Sequence, residues 1–369
     1  MKAAVLHAAN QPLRIEDLPI PTVTPGHTLL RVLACGVCRT DLHIFEGDIP
    51  LLQKPLILGH QIVGEVVNEP LDDDQPELQS FLKDHPEVAA DIREIRLSAA
   101  EFMQTDFERS YGTAPYLPPR TRVGVSWIGG TDGTCPFCLR EEENLCDNPS
   151  FTGYSTNGGY AQYALVRSDF TYPLPDTLDN IHAAPLLCAG IIGFRSLRVA
   201  GTQPGERVGL FGFGASASQA IQVLRHWKCS VFVSTRGETH RQQATAAGAT
   251  WVGTENDKPP VPLDRAITFA PSGAVVVAAL SSLRKGGVVA INAIHLDQMP
   301  AFDYDTLLWG ERQIRSVANM TRDDARDYLE LAAEIGIKPQ VQTFPLDQTN
   351  EALQAVKNET ANGPCVILP

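Results

Sequence analysis

The chain has 369 residues, is 43% hydrophobic and carries a net charge of −13. That is enough for a sizeable core and, at about 100–200 residues each, for two domains. The acidic balance speaks against nucleic-acid and anionic-membrane partners, which need basic surfaces. No run approaches the roughly 18 apolar residues of a membrane span. The opening MKAAVLHAANQPL turns polar too early for a signal peptide, so a cytoplasmic location is expected. Eight cysteines in a chain this long do not suggest a disulfide scaffold. Clustered in a reducing compartment, they read as metal ligands.

The first ~67 residues are β-rich, with short runs such as HTLLRVLACGVC and HQIVGEVV bounded by Gly and Pro. Between Glu69 and Ser110 the composition changes: twelve acidic residues stand against four basic ones, which accounts for −8 of the net charge. Asp84 with Glu87, and Ser98 with Glu101, have the spacing of an N-cap and its partner. This acidic stretch, about 69–115, reads as a helical hairpin inserted between strands, a solvated excursion with a lid or subunit contact as the alternative. Strand patterns resume at RTRVGVSW and NGGYAQYALV. From about Pro173 to Met320, apolar strands alternate with helical segments, as in a parallel α/β sheet. The remaining residues bring a helix, a strand, a helix and the closing strand CVILP.

RVGLFGFGASASQAIQV is a strand, then Gly212-x-Gly214-x-x-Ala217, then a helix. Gly212 makes the tight turn, Gly214 admits a pyrophosphate to the backbone, and Ala217 permits close helix–sheet packing. The helix N-terminus offers free N–H groups to phosphates. A dinucleotide is the expected ligand. The next strand, CSVFVSTRGETHR, ends in Ser234, Thr235 and Arg236, with no carboxylate before Glu238 to hold both ribose hydroxyls. Hydroxyls beside a guanidinium suit a 2′-phosphate, which favours NADP(H) over NAD(H). The alternative is that Arg236 simply opens the next helix facing solvent.

ACGVCRTDLH places Cys35, Cys38, Arg39, Thr40, Asp41 and His43 together; LGHQIVGEV supplies His60 and AAPLLCAGIIGFRSLR supplies Cys188. Together with the glycine turn, these motifs closely resemble the zinc-dependent alcohol dehydrogenases of the medium-chain dehydrogenase/reductase superfamily. The resemblance covers almost the whole chain except the acidic insert. It implies that Cys38, His60 and Cys188 are catalytic zinc ligands, leaving a fourth position open as a catalytic zinc requires. There the metal serves as a Lewis acid on an alcohol or carbonyl. It further implies that Thr40 contacts the substrate oxygen and that His43 ends a hydroxyl relay running through the cofactor ribose. By the same resemblance Asp41 orients His60, Arg39 sits near the cofactor pyrophosphate, and Cys35 is structural. Ile49 and Trp127 fall near pocket-lining positions, where Ile49 suggests room for larger primary alcohols or aldehydes; simple packing is the alternative.

Two departures stand out. The family's usual GHE is GHQ here, so Gln61 offers no carboxylate to the metal. An arginine often found before the last strand is missing from NGPCVILP. A third feature is the stretch 129–148. Relatives carry a structural zinc there with spacing C-x2-C-x2-C-x7-C; in this chain Cys135, Cys138 and Cys146 occupy the last three positions and Asp132 the first. A carboxylate is an acceptable zinc ligand, so a Cys3Asp site is expected, with a metal-free turn ended by Asp132 as the alternative.

The expected fold is α/β: a GroES-like, partly open β-barrel catalytic domain (1–172 and 321–369) flanking a Rossmann doubly wound parallel sheet (173–320), with the active site between them. The expected activity is hydride transfer between a primary, or secondary, alcohol and NADP(H) or NAD(H), with two zinc ions per chain in a homodimer or homotetramer. A zinc-free quinone or enone reductase and a non-catalytic NADP-binding redox sensor are the rival readings.

Overall fold

The computed structural model describes residues 1–67 and 117–369. The acidic stretch, with its two expected helix starts, lies outside the described residues. The first part contains strands β1 (Lys2–Leu6), β2 (Arg14–Asp17) and β3 (His27–Gly36), helix α1 (Arg39–Glu46), and strands β4 (Leu56–Ile57) and β5 (Gln61–Val66). Strands β6 (Arg122–Val125), β7 (Ile128–Gly130), β8 (Ser150–Phe151), β9 (Tyr163–Arg167) and β10 (Thr171–Pro173) follow. Strand β1 pairs with β2 and β4, and the larger sheet runs β10-β6-β5-β3, with β9 also on β3. Valine, isoleucine and leucine fill these strands because branched side chains pack well on a pleated surface. Leu6, Leu30, Ile62, Val125 and Tyr160 are buried in one continuous core.

A short helix, α2 (Asn180–Ala183), and a longer one, α3 (Ala189–Ala200), lead into the second region. It continues with β11 (Arg207–Phe211), α4 (Ala215–His226), β12 (Ser230–Ser234), α5 (Glu238–Ala246), β13 (Trp251–Gly253), β14 (Leu263–Thr268), α6 (Gly273–Ser281), β15 (Leu283–Ile291), α7 (Tyr304–Leu307) and β16 (Gln313–Ser316). Its strands are all parallel, in the order β13-β12-β11-β14-β15-β16. This is the doubly wound dinucleotide-binding order. The chain reverses direction across the sheet between β11 and β14, and ligands bind such sheets at the carboxyl ends of the strands beside that point.

Helix α8 (Arg322–Ile335) packs its buried face on α3 and α4. Tyr328 donates to Gln219 Oε1 at 2.9 Å and leaves no room for a Cβ at Gly190. The core of the second region therefore takes in α8, beyond residue 320. Strand β17 (Gln342–Pro345), helix α9 (Thr349–Lys357) and strand β18 (Cys365–Leu368) then return to the first region, where β18 pairs antiparallel with β3 and parallel with β17. No single described helix is long and apolar enough to cross a membrane.

Candidate active site

Three segments converge where the two regions meet. Cys38 precedes α1, His60 precedes β5, and Cys188 precedes α3. One ligand atom from each lies within 4.8 Å of the others, and the two sulfurs are 3.8 Å apart. Among the described residues, both ring nitrogens of His60 are buried and neither makes a well-formed hydrogen bond, Nδ1 facing the Asp41 carboxylate only as an ion pair. A buried polar atom left unpaired is costly, and two sulfurs with an imidazole form the donor set of a catalytic zinc site. The residues present therefore fit that metal.

The three groups also shift one another's protonation. The Cys188 thiol beside it, helped by His60, lowers the pKa of Cys38 well below the ordinary thiol value despite burial. The hydrogen bond to Cys38, with burial, raises that of Cys188. Burial works against a charged His60, but the nearby Asp41 carboxylate outweighs it and pushes the ring up to about 10. Negative charge at Asp41 and Cys38 thus surrounds the His60 ring.

Asp41 holds this arrangement together. Its Oδ1 lies 3.3 Å from His60 Nδ1 and accepts the Gly59 N–H at 3.2 Å. Its Oδ2 accepts the Cys38 N–H at 2.8 Å and the Tyr160 hydroxyl at 3.1 Å. One carboxylate therefore ties the N-cap of α1 to the loop that presents His60. Thr40 is buried, with Oγ1 3.6 Å from Cys38 Sγ. His43, one turn further along α1, is partly exposed and bonded to Asp48 Oδ2 at 2.9 Å. Arg39 is half exposed and paired with Glu359 at 2.8 Å. Cys35 is buried, away from the ligand group.

Trp127 stacks on Phe151 and Tyr154 and meets His60 edge-on at 5.1 Å between centroids. An aromatic wall thus stands beside the group formed by Cys38, His60 and Cys188. Ile49 is half buried and packs against the first region's core.

The glycine turn sits at the carboxyl end of β11. Gly212 has φ +96° and faces the Ala270 backbone, a conformation that favours glycine. Gly214 caps α4, open space surrounds its Cβ position, and Ala217 is fully buried in the first turn of that helix. At the end of β12, Ser234 and Thr235 are buried and Arg236 is exposed. The neighbouring Arg241 is occupied by the Thr235 and Arg236 carbonyls and by Glu238.

A second cluster brings Asp132, Cys135, Cys138 and Cys146 within the same 4.8 Å span. Asp132 Oδ1 accepts the N–H groups of Thr134 and Cys135, each at 3.0 Å, and Oδ2 accepts from Asn148 at 3.0 Å. The Asn148 amide and those two N–H groups hold its carboxyl well below the usual range. Backbone N–H groups of Asp132 and Asn148 point at Cys146 Sγ, and that of Cys138 at Cys135 Sγ. Such donors stabilise thiolate, the ligand form of cysteine. The donor set fits a structural zinc.

The alcohol dehydrogenase GroES-like domain family matches residues 24–76 and 95–176. A probable alcohol dehydrogenase AdhA of Mycobacterium tuberculosis (strain CDC 1551 / Oshkosh) is 38% identical, over 97% of this chain and 93% of its own length. An alcohol dehydrogenase of Moraxella sp. (strain TAE123) is 30% identical over 100% of this chain and 99% of its own. The solved alcohol dehydrogenase of the hyperthermophilic archaeon Aeropyrum pernix superposes with a TM-score of 0.76 at 24% identity, covering 100% of both chains.

This chain belongs to the zinc-type medium-chain alcohol dehydrogenase family. It is accordingly an oxidoreductase of the NAD(P)-dependent kind. For a member of that family, the Gln61 departure has a clear local setting. Gln61 is buried at the start of β5 and its side chain lies over Gly36 of β3, outside the ligand group.

Sequence reasoning did not find Tyr160, the buried partner of Asp41, although NGGYAQYALV held a signal. A Cβ on Gly159 would press on Ile62 and Cys35, and Gly158 packs directly on the Gly59 carbonyl. Paired glycines mark where one backbone must lie against another, here beneath the loop carrying His60. Phe151 and Tyr154 were missed as well, because stacking on Trp127 is a tertiary relationship with no spacing signature.

Proposed function

We propose that this protein interconverts an alcohol and its aldehyde or ketone by hydride exchange with a nicotinamide dinucleotide. In this reading Cys38, His60 and Cys188 hold a catalytic zinc. The observation that carries it is the convergence of these three side chains, with the His60 ring nitrogens buried and making no well-formed hydrogen bond among the described residues. When bound, the metal supplies a Lewis acid for the substrate oxygen.

The chain's own residues do the rest. Asp41, 3.3 Å from Nδ1, orients the His60 ring. Thr40, buried beside Cys38, hydrogen-bonds the substrate hydroxyl and takes part in its proton transfer. His43, on the same face of α1 and open to solvent, receives that proton with Asp48 as its partner. Trp127 and Ile49 bound the substrate, and the aromatic wall favours larger primary alcohols or aldehydes over the smallest ones.

The dinucleotide lies over Gly212, Gly214 and the N-terminus of α4, with Arg39 toward its pyrophosphate. Ser234, Thr235 and the exposed guanidinium of Arg236 favour a 2′-phosphate, so NADP(H) is the preferred form. The lobe 129–148 carries a second zinc on Asp132, Cys135, Cys138 and Cys146 that braces the loop. The chain acts in the cytoplasm as a homodimer or homotetramer joined at the exposed edge strand β16.

The deciding experiment combines metal analysis with steady-state rates on an aldehyde panel using NADPH and NADH. Two tightly bound zinc ions and aldehyde-dependent oxidation of NADPH are expected. Fewer than one zinc per chain, or no turnover of any aldehyde, would overturn the reading.

A further inference from the structure

The lobe around Asp132 and the three cysteines does not end at its own loop. Glu143 and Asn144, which follow Cys138 in the lobe, are buried and reach the segment between β16 and α8. The Glu143 carboxylate accepts the Arg322 N–H at 2.7 Å and grips its guanidinium through Nε at 2.9 Å and a terminal nitrogen at 2.6 Å. Asn144 Nδ2 donates to the Ala318 carbonyl at 2.9 Å, and Asn319 Nδ2 returns a bond to the Asn144 carbonyl at 3.0 Å. Arg322 also lies over the Phe170 ring at 4.7 Å. The segment so held leaves the carboxyl end of β16, with Val317 N–H still bonded to the Ile291 carbonyl at the end of β15. That is the carboxyl end of the sheet, the end at which sheets of this kind bind dinucleotides.

We propose that Glu143 is a positioning residue for dinucleotide binding: it fastens the 129–148 lobe to residues 318–322, so that an intact lobe holds the carboxyl end of the sheet in its binding conformation. This rests on the dinucleotide and lobe-metal readings above. Coupling between two sites is shown by non-additive variants rather than by contact alone.

The test measures the Kd of NADPH and NADH by fluorescence titration, without turnover, in Glu143→Gln, Asp132→Ala and the double variant. Asn144→Ala serves as a milder lesion, should the glutamine variant fold poorly. Asp264→Asn is the control: it breaks an ion cluster with Arg207 and Arg284 at the amino ends of β11, β14 and β15, the opposite end of the sheet. Each lobe variant should weaken binding about tenfold, within the usual range of coupling between sites. The double variant should be no weaker than the worse single one, and the control should stay within about twofold of wild type. Unchanged affinity in Glu143→Gln and Asn144→Ala, independent additive losses in the double variant, or an equal loss in Asp264→Asn would overturn the proposal. A wild-type protein that binds neither dinucleotide would instead defeat the functional reading on which it rests.

Discussion

Asp41 Oδ1 lies 3.3 Å from Nδ1 of His60, and both side chains are buried. The same carboxylate accepts the N–H groups of Cys38 and Gly59 and the Tyr160 hydroxyl. It therefore positions two of the three side chains of the group, Cys38 and His60. In Asp41→Asn the charge is lost, and the amide nitrogen must face a donor wherever it turns. Partners that orient a ligating histidine typically contribute 10–100-fold to metal affinity, so a loss of about that size is expected. Chelator competition followed by metal counting measures it. Wild-type affinity in the variant would remove Asp41 from this role.

Asp132 is the unusual member of the second cluster. Its oxygens already accept from Thr134, Cys135 and Asn148, so the carboxylate shapes the loop as well as offering a ligand. Asp132→Ala should release one zinc and lower stability while the metal at Cys38, His60 and Cys188 remains. Asp132→Cys, which gives the commoner four-thiolate set, should keep both metals. Zinc content per chain with a thermal melt separates the cases. Loss of the catalytic metal from the alanine variant would reassign Asp132.

In the proposed function Arg236 sets the cofactor preference. It is exposed beyond β12, while Arg241 beside it is already engaged by Glu238 and two carbonyls. A charge-assisted bond to a phosphate contributes about 1.5–3 kcal/mol. Arg236→Ala should therefore cut the NADPH to NADH ratio of kcat/KM by roughly 10–100-fold. An unchanged ratio would mean that Arg236 is a solvent-facing residue and no more.

The acid limb of stability should depend on Asp264. Burial alone would raise its carboxyl, but Arg207 and Arg284 outweigh it and hold it at about 2, against an ordinary 3.8. A depressed folded-state value stabilises the fold above pH 4 and loses that contribution as pH falls toward 2. Allowing for solvent around the arginines, the amount is roughly 1–2 kcal/mol. Denaturant midpoints for wild type and Asp264→Asn should differ at pH 6 and converge near pH 2. Taking the difference between the two proteins cancels their shared loss of metal in acid. A constant gap across the range would refute the assignment.

What could be read beforehand follows a physical division. The parallel sheet was legible because alternating strands and helices admit few arrangements, and the turn at Gly212 because a positive φ and a close backbone demand glycine. Cys38, His60 and Cys188 were legible only as a set resembling a family, since a lone cysteine or histidine carries no signal of its own. Tyr160, Phe151 and the Glu143–Arg322 pair were not legible. Their partners lie 119, 179 or more than twenty residues away in the chain, and no local pattern encodes such a meeting. Helix α8 likewise opens the segment assigned to the first region but buries Tyr328 in the second, a choice made by tertiary packing.

The two glycines of the turn separate stability from binding. Gly212 has φ +96°, and a Cβ there would approach the Ala270 nitrogen at 3.2 Å. Its own N–H is committed to the Ser234 carbonyl at 2.8 Å, so the backbone has little freedom to relax. Alanine at this position should cost about 1–2 kcal/mol, which lowers Tm by a few degrees, and it should weaken dinucleotide binding. Gly214 is different: its φ is −103°, and a methyl group added there would meet nothing within 4 Å. Gly214→Ala should keep the wild-type Tm yet bind dinucleotide less tightly, because the methyl occupies space the pyrophosphate needs. Thermal melts and fluorescence titrations on both variants give the four values required. If Gly214→Ala binds as well as wild type, the pyrophosphate does not lie over this turn.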